Sequence, residues 1–290
     1  MKEIKIYTAH DSYVLNLEFT KDSNTLISSG MDNVVKLWSV PQWDCINTIE
    51  GHANSINSFS LNNNEDLLAT GSSDQTIKLW SFPDGSLLKT LQDRKKVVST
   101  VQISPNGKWI AAGSYGGRVS IWNIYGELVH AFNASKKNLS SIAISSDGKL
   151  LATSGLGDDI YLWSLPDGEK IGFLSGHEVA VWSLKFINSD RFLVSIGFEG
   201  ALKTWDTNSW QEVRTLPLEG KKPRGYAFSI DENLIALSME SQVQLRLWED
   251  WELVETLPVS TKVINGIAFS SDNRWLAFGA ADRKIRIWEF

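Results

Sequence analysis

Cysteine is almost missing from this chain, which carries only Cys45. One cysteine excludes an internal disulfide and any metal site built from several cysteines. Apolar runs long enough to span a membrane are missing too, and the opening residues MKEIKIYTAHD lack the apolar core of a secretory signal. We therefore expect a cytoplasmic protein without a membrane span.

Polar linkers and low-complexity segments are also absent, and no segment shows the apolar stripe of an amphipathic helix. Of the 290 residues, 42% are hydrophobic and 21% are charged, which is typical of a globular protein with a sizeable core. The sequence thus predicts a single monomeric domain over residues 1–290.

Tryptophan, by contrast, is plentiful, and alternating segments such as TIKLW and KIRIW end on it seven times. The seven closing residues are Trp38, Trp80, Trp122, Trp163, Trp205, Trp248 and Trp288. Successive spacings are 42, 42, 41, 42, 43 and 40 residues. So regular a period is typical of a repeat protein, in which each unit buries its apolar faces against its neighbours.

Each repeat unit reads as four short strands. In the second unit the segments are SINSFSL, DLLATGS, TIKLWSF and LLKTLQ, and the connections NNNE, SSDQ and PDG are rich in turn residues. β-Branched and aromatic residues alternate within these segments, as they do in half-buried strands. The sequence therefore predicts an all-β fold.

Two of the units carry a recurring block of His, Ser or Thr, an acid and Trp. They read GHANSINSFSLNNNEDLLATGSSDQTIKLWS and GHEVAVWSLKFINSDRFLVSIGFEGALKTWD. These segments resemble WD40 repeats, and the resemblance extends to all seven units, although only Trp205-Asp206 keeps the Trp-Asp dipeptide. The resemblance implies a seven-bladed β-propeller of four-stranded blades.

The two ends of the chain together provide the four strands of one blade. The last unit stops at Phe290 after three strands, while a spare strand, KEIKIYTA, precedes the first unit. We expect the N-terminal strand to complete the last blade, which removes two open sheet edges.

The resemblance to WD40 repeats also implies hydrogen-bonded tetrads of His, Ser or Thr, an acid and Trp. Carried over by position, they comprise three sets: His10, Ser28, Asp32 and Trp38; His52, Thr70, Asp74 and Trp80; and His177, Ser195, Glu199 and Trp205. The other four units lack the His, so we expect packing and the Trp alone to hold them.

A Ser, a His and a carboxylate could also form a nucleophilic triad. Three copies beside a Trp whose indole N–H needs an acceptor are better explained as structural networks. We therefore predict no catalytic residues and no enzyme activity.

Other motifs do not point to a metal or a cofactor. His177-Glu178 begins like a zinc-binding helix, but Val181 stands where the second His would be and the segment reads as a strand. Gly155 and Gly157 lack the third glycine and the strand-to-helix setting of a dinucleotide loop. The sequence predicts neither a metal site nor a cofactor.

The loops are the remaining candidates for function. By the resemblance to WD40 repeats, eight residues occupy contact positions on the top face: Tyr13, Leu15, Met31, Tyr115, Trp182, Phe198, Lys222 and Arg224. Exposed aromatic and Arg residues are typical of binding hot spots. The aromatic residues could equally fill the central channel, and the sequence leaves both interpretations open.

Two function classes follow from this surface. One is a non-catalytic scaffold that binds a peptide or protein segment on the top face. The alternative is a reader of polyanions, such as nucleic acid, phosphoinositide or phosphopeptide, through basic top-face loops that include Lys95 and Lys96. The pI of about 5.3 argues against nucleic acid, which favours the scaffold.

Overall fold

The protein folds into antiparallel β-sheets. The computed structural model describes residues 1–157, 159–218, 223–239, 241–259 and 263–290, and these residues form seven four-stranded sheets. The predicted all-β, seven-bladed β-propeller fold is confirmed, with one four-stranded blade for each repeat. Among the described residues, no helix has the length and apolar character needed to cross a membrane.

The strands group into two compact units, which we describe separately. The first unit comprises residues 1–57 and 223–290, and the second comprises residues 58–222. The prediction of a single domain over residues 1–290 stays a prediction.

The first unit contains the first, sixth and seventh blades. The first blade consists of β2 (Val14–Phe19), β3 (Thr25–Gly30), β4 (Val35–Ser39) and β5 (Cys45–Ile49). The sixth blade consists of β22 (Tyr226–Phe228), β23 (Leu234–Met239), β24 (Gln242–Leu247) and β25 (Leu253–Pro258). The seventh blade consists of β26 (Ile264–Phe269), β27 (Trp275–Ala280), β28 (Lys284–Glu289) and β1 (Lys2–Thr8).

The second unit contains the third, fourth and fifth blades and nearly all of the second. The second blade consists of β6 (Ile56–Leu61), β7 (Leu67–Ser72), β8 (Ile77–Ser81) and β9 (Leu87–Leu91). The third consists of β10 (Val98–Ile103), β11 (Trp109–Ser114), β12 (Arg118–Asn123) and β13 (Leu128–Asn133). The fourth consists of β14 (Leu139–Ile144), β15 (Leu150–Gly155), β16 (Ile160–Ser164) and β17 (Lys170–Leu174). The fifth consists of β18 (Val181–Ile187), β19 (Phe192–Gly197), β20 (Ala201–Asp206) and β21 (Glu212–Pro217).

Burial within a blade explains the alternating sequence pattern. In β8 the apolar residues Ile77, Leu79 and Trp80 are buried, whereas Lys78 between them is partly exposed. The fourth strand of the blade, β9, is mostly exposed, and only its last residue, Leu91, is buried. The third strand is therefore a core element with Trp near its end, and the fourth is an edge strand.

The N-terminal strand completes the seventh blade, as predicted. β1 pairs antiparallel with β28, with Ile6 opposite Arg286 and Tyr7 opposite Ile285. The ring of Tyr7 packs against Trp38 of the first blade at a centroid distance of 4.9 Å. Trp43 and Trp275 extend this apolar core, with their ring centroids 5.4 Å apart.

The sixth blade corrects the sequence-based alignment of the repeats. In the other six blades the closing Trp pairs with a Leu or Ile of the second strand, as Trp205 pairs with Leu193. In the sixth blade Arg246 takes this place opposite Ile235, and Trp248 lies beyond the end of β24. With Arg246 as the equivalent residue, the last two spacings become 41 and 42 residues, so the repeat is more regular than the tryptophans alone suggest.

Candidate functional site

The first blade contains a complete hydrogen-bonded tetrad. His10 Nδ1 lies 2.9 Å from each carboxylate oxygen of Asp32, and His10 Nε2 lies 2.7 Å from Ser28 Oγ. Trp38 Nε1 donates a hydrogen bond to the same Ser28 oxygen at 2.8 Å. The four side chains thus connect the loop before β2 to β3, to the turn after β3 and to β4.

The electrostatics of this tetrad keep its acid ionised. Burial of Asp32 acts to raise the pKa of its carboxyl group. The hydrogen bond and charge of His10, together with the backbone N–H of Asp11, outweigh burial and lower that pKa below its usual value. The carboxylate therefore accepts hydrogen bonds and orients the imidazole toward Ser28.

The fifth blade repeats this arrangement with Glu in place of Asp. His177 Nδ1 hydrogen bonds to Glu199, and His177 Nε2 lies 2.7 Å from Ser195 Oγ. Trp205 Nε1 donates to Ser195 at 2.8 Å. Burial lowers the pKa of His177, despite the opposing effect of Glu199, which favours the neutral imidazole.

Three of the four members of the second tetrad, Thr70, Asp74 and Trp80, belong to the second unit. Trp80 Nε1 donates to Thr70 Oγ1 at 2.8 Å. Asp74 accepts hydrogen bonds from the backbone and the hydroxyl of Thr76, at 2.9 Å and 2.6 Å. His52 is buried and belongs to the first unit, whereas the other three members belong to the second.

Tetrads are not the only polar networks, because two blades without the His use arginine instead. In the third blade Arg118 pairs with Asp93, which also accepts a hydrogen bond from Ser120 Oγ at 2.7 Å. In the seventh blade the guanidinium of Arg286 donates to both carboxylate oxygens of Asp282, at 3.2 Å and 2.5 Å. The expectation that packing and the Trp alone hold these blades is therefore wrong.

These carboxylates stay ionised for a shared reason. Burial acts to raise the pKa of Asp93 and of Asp282. The hydrogen bonds and charges of Arg118 and Arg286 outweigh burial and lower both pKa values.

The buried position of the tetrad hydroxyls makes them unsuitable as nucleophiles. Ser28 and Ser195 are completely buried, and each already accepts a hydrogen bond from an indole N–H. A nucleophile must instead contact a substrate. Among the described residues, no group of three or more His, Cys, Asp or Glu side chains is placed to hold a metal ion.

The predicted contact residues Trp182 and Phe198 form an aromatic pair in the fifth blade. Their ring centroids are 5.8 Å apart at an interplanar angle of 40°, and both side chains are partly exposed. The backbone N–H of Phe198 donates to the carbonyl of Ala180 at 2.9 Å, which ties the turn after β19 to the entry of β18. Val179, also exposed, lies in the same entry loop.

The same backbone hydrogen bond recurs in neighbouring blades and identifies a residue that sequence reasoning missed. Tyr115 N–H donates to Val97 at 2.9 Å, and Leu156 N–H donates to Asn138 at 3.0 Å. Tyr115 is 46% exposed and Leu156 is 52% exposed. Leu156 follows Thr153 by three residues, as Phe198 follows Ser195, and this offset is the signal that could have identified it.

Four other predicted contact residues, Tyr13, Leu15, Met31 and Arg224, lie in the first unit. Tyr13 and Met31 are exposed and joined by the same backbone hydrogen bond, at 2.9 Å, while Leu15 is partly exposed. Arg224 is exposed, and its backbone N–H donates to Ser238 Oγ at 2.9 Å. Lys222 lies outside the described residues.

Comparison with known proteins adds a family match over nearly the whole chain. A family model described as "IFT122 first beta-propeller" matches residues 13–289.

Curated relatives match over shorter stretches. The DDB1- and CUL4-associated factor 4-like protein 2 of Homo sapiens is 34% identical over 61 residues, which is 21% of this chain and 15% of that protein. Coatomer subunit beta'-2 of Oryza sativa subsp. japonica is 37% identical over 54 residues, 18% of this chain and 6% of the relative. The p21-activated protein kinase-interacting protein 1-like of Danio rerio is 36% identical over 52 residues, 18% of this chain and 14% of the relative. The matched stretches thus span only a small part of these relatives.

Proposed function

Because this chain belongs to the WD40-type β-propeller family described as the IFT122 first beta-propeller, whose propellers typically serve protein interaction, we propose that it is a non-catalytic scaffold. The scaffold binds a peptide or protein segment through aromatic side chains at the turns of its blades. A cytoplasmic location remains part of this proposal.

The observation that carries the proposal is the partly exposed aromatic pair of the fifth blade. Trp182 and Phe198 present two rings at van der Waals proximity, and a backbone hydrogen bond fixes the turn that carries Phe198. A rigid aromatic pair loses little conformational entropy on binding and buries a large apolar area. Tyr115 and Leu156 add exposed apolar surface at equivalent turns of the third and fourth blades.

The names of two relatives are consistent with this proposal. One is called an associated factor of DDB1 and CUL4, and another a p21-activated protein kinase-interacting protein. These names describe those proteins, and the matched stretches cover 21% and 18% of this chain. For this chain they support protein binding as a general activity.

The experiment is a selection of unmodified peptides from a random display library on the immobilised full chain. We expect peptides with apolar anchor residues to be enriched and to lose affinity when Trp182→Ala or Phe198→Ala is introduced. Val213→Ala is the matched control, because Val213 is an exposed apolar residue on the outer strand of the same blade.

Two results would contradict the proposal. One is a failure to enrich any peptide on the folded chain. The other is enrichment of peptides whose affinity is insensitive to the Trp182 and Phe198 substitutions.

A further inference from the structure

The two loops that adjoin the aromatic pair of the fifth blade carry acidic side chains and no lysine or arginine. The loop that enters β18 contains Glu178, and the turn after β19 contains Glu199. The other titratable side chain in these loops is His177, whose lowered pKa favours the neutral imidazole. The aromatic pair therefore lies beside two loops whose formal charge is negative.

The entry loops of the two preceding blades have the opposite charge. The loop that enters β10 carries three basic residues against one acid, and the loop that enters β14 carries Lys136 and Lys137 without an acid. The change of sign at the fifth blade coincides with the two clustered rings of Trp182 and Phe198. A ligand group that suits this pair therefore differs in charge from one that suits the preceding loops.

The charge of Glu178 is not neutralised within the fifth blade. Its side chain is exposed, and among the described residues no lysine or arginine forms a salt bridge with it. Glu199, by contrast, is bound to His177. Glu178 precedes Trp182 by four residues at the entry of the same strand, so its carboxylate can respond to a charge on a ligand at the aromatic pair.

Neither ring of the pair is covered by a cation of the protein. Among the described residues the cation–π contacts involve other rings, such as Tyr161 with Lys170 and Phe192 with Arg191. The two rings of the pair are partly exposed, and their planes are inclined by 40°. The face of an aromatic ring attracts a cation, and among side chains the indole of Trp does so most strongly.

We propose that the aromatic pair of the fifth blade receives an arginine side chain of the bound peptide, with Glu178 as its counter-charge. This inference rests on the proposed function, because it names the side chain that the pair takes. A guanidinium is planar, always charged and weakly hydrated, so it stacks on an aromatic ring at a lower desolvation cost than an ammonium group. Tyr115 and Leu156 remain as contacts for the apolar anchor residues of the same peptide.

The first experiment selects three random peptide display libraries on the immobilised full chain. The libraries differ at one fixed central position, which is Arg, Leu or Glu, and their random positions exclude Arg and Lys. The Arg library should be enriched about fivefold or more over the other two, because only a cation gains the attraction of the exposed ring faces.

The second measurement tests whether the arginine acts through the aromatic pair. A synthetic peptide from the Arg library is titrated beside a variant in which citrulline, which has nearly the same shape without the charge, replaces the arginine. The citrulline peptide should bind the wild type about fivefold or more weakly. On Trp182→Ala the difference between the two peptides should shrink to about twofold or less, because the ring that distinguishes them is missing.

A substitution at Glu178 tests the counter-charge. Glu178→Gln should weaken binding of the arginine peptide about twofold to fivefold and leave the citrulline peptide unchanged. Glu169→Gln is the matched control, because Glu169 is an exposed acid before β17 of the fourth blade. It should leave the affinity of both peptides unchanged.

The failure of this inference is distinguishable from the failure of the scaffold proposal. Peptides that lose affinity on Trp182→Ala but show no preference for Arg over Leu would overturn the inference and leave the scaffold proposal intact. Equal binding of the arginine and citrulline peptides to the wild type would overturn it as well, as would enrichment of the Glu library over the Arg library. If none of the three libraries yields a peptide, the scaffold proposal itself is contradicted, and this inference with it.

Discussion

Ser28 Oγ accepts a hydrogen bond from Trp38 Nε1 at 2.8 Å and lies 2.7 Å from His10 Nε2. In the fourth blade, Ser135 stands at the His position, and Thr153 Oγ1 accepts one hydrogen bond from the described side chains, that of Trp163 Nε1 at 3.0 Å. The buried hydroxyl thus has two hydrogen-bond partners in the first blade and one in the fourth, among the side chains that the structure describes.

This difference predicts a graded loss of stability. Ser28→Ala leaves two buried groups unpaired and should lower the free energy of unfolding by about 2–4 kcal/mol, whereas Thr153→Val leaves one and should cost about 1–2 kcal/mol. Urea denaturation followed by tryptophan fluorescence measures both values. Equal losses would show that His10 adds nothing to the first-blade network.

We predict that Tyr7→Phe does not destabilise the protein. Its hydroxyl is buried without a hydrogen-bond partner among the described residues, and burial raises its pKa well above the usual value. Tyr7→Phe keeps the ring against Trp38 and removes the unpaired hydroxyl, so stability should be unchanged or rise by up to about 1 kcal/mol. Tyr7→Ala, the contrasting variant, should lose about 3 kcal/mol or more because it removes the ring from the core.

The measurement is the midpoint of thermal unfolding of each Tyr7 variant, compared with that of the wild type. A clear drop for Tyr7→Phe would mean that the hydroxyl has a favourable interaction.

For the Arg286–Asp282 pair of the seventh blade, we predict that the stability losses of the two single substitutions do not add. Arg286 is 2% exposed, so Asp282→Asn removes a carboxylate charge that its buried guanidinium pairs with and should cost about 3–5 kcal/mol. Combining it with Arg286→Met removes the buried charge as well, so the double variant should be more stable than Asp282→Asn alone. A double variant whose loss equals the sum of the two single losses would exclude coupling between the side chains.

We predict that the contribution of His177 to protein stability depends on pH. Its pKa in the folded protein is lowered by burial from the ordinary 6.5, so the unfolded chain binds the proton more readily. The contribution of His177 to stability is therefore present above pH 6.5 and is progressively lost as the pH falls from there toward the folded pKa.

The comparison uses His177→Asn at pH 7.5 and pH 5.5. The stability difference between the wild type and His177→Asn should be smaller at pH 5.5, measured as the free energy of unfolding in urea. Because both proteins share every other titrating group, a difference that stays constant would contradict the lowered pKa.

The sequence predicted the parts of the fold that depend on local pattern. Alternation within TIKLW and the turn residues around it predict the strand and the blade, because Ile77 and Leu79 are buried on either side of the partly exposed Lys78. The register of the sixth blade could not be found in the same way. Arg246 and Trp248 lie two residues apart on the same alternation, and only the pairing with Ile235 decides between them.

The candidate site was less predictable because it depends on contacts between distant residues. The pairing of Asp282 with Arg286 replaces a tetrad through residues that match no motif. A cavity of about 910 Å³ in the fourth blade lies beside two small residues that are 22 positions apart in sequence, Ser135 and Gly157. Only the fold brings both residues to the wall of this cavity, which Trp163 also lines.

The most direct test of the scaffold proposal is the salt dependence of binding for a peptide selected on the chain. Trp182→Ala and Phe198→Ala should each weaken binding by about 2 kcal/mol or more, and the wild-type affinity should change little between low and high salt. A contradictory result would be a steep fall of affinity with salt that flattens when Lys95, Lys96 and Arg224 are changed to Glu, together with harmless truncation of both aromatic residues.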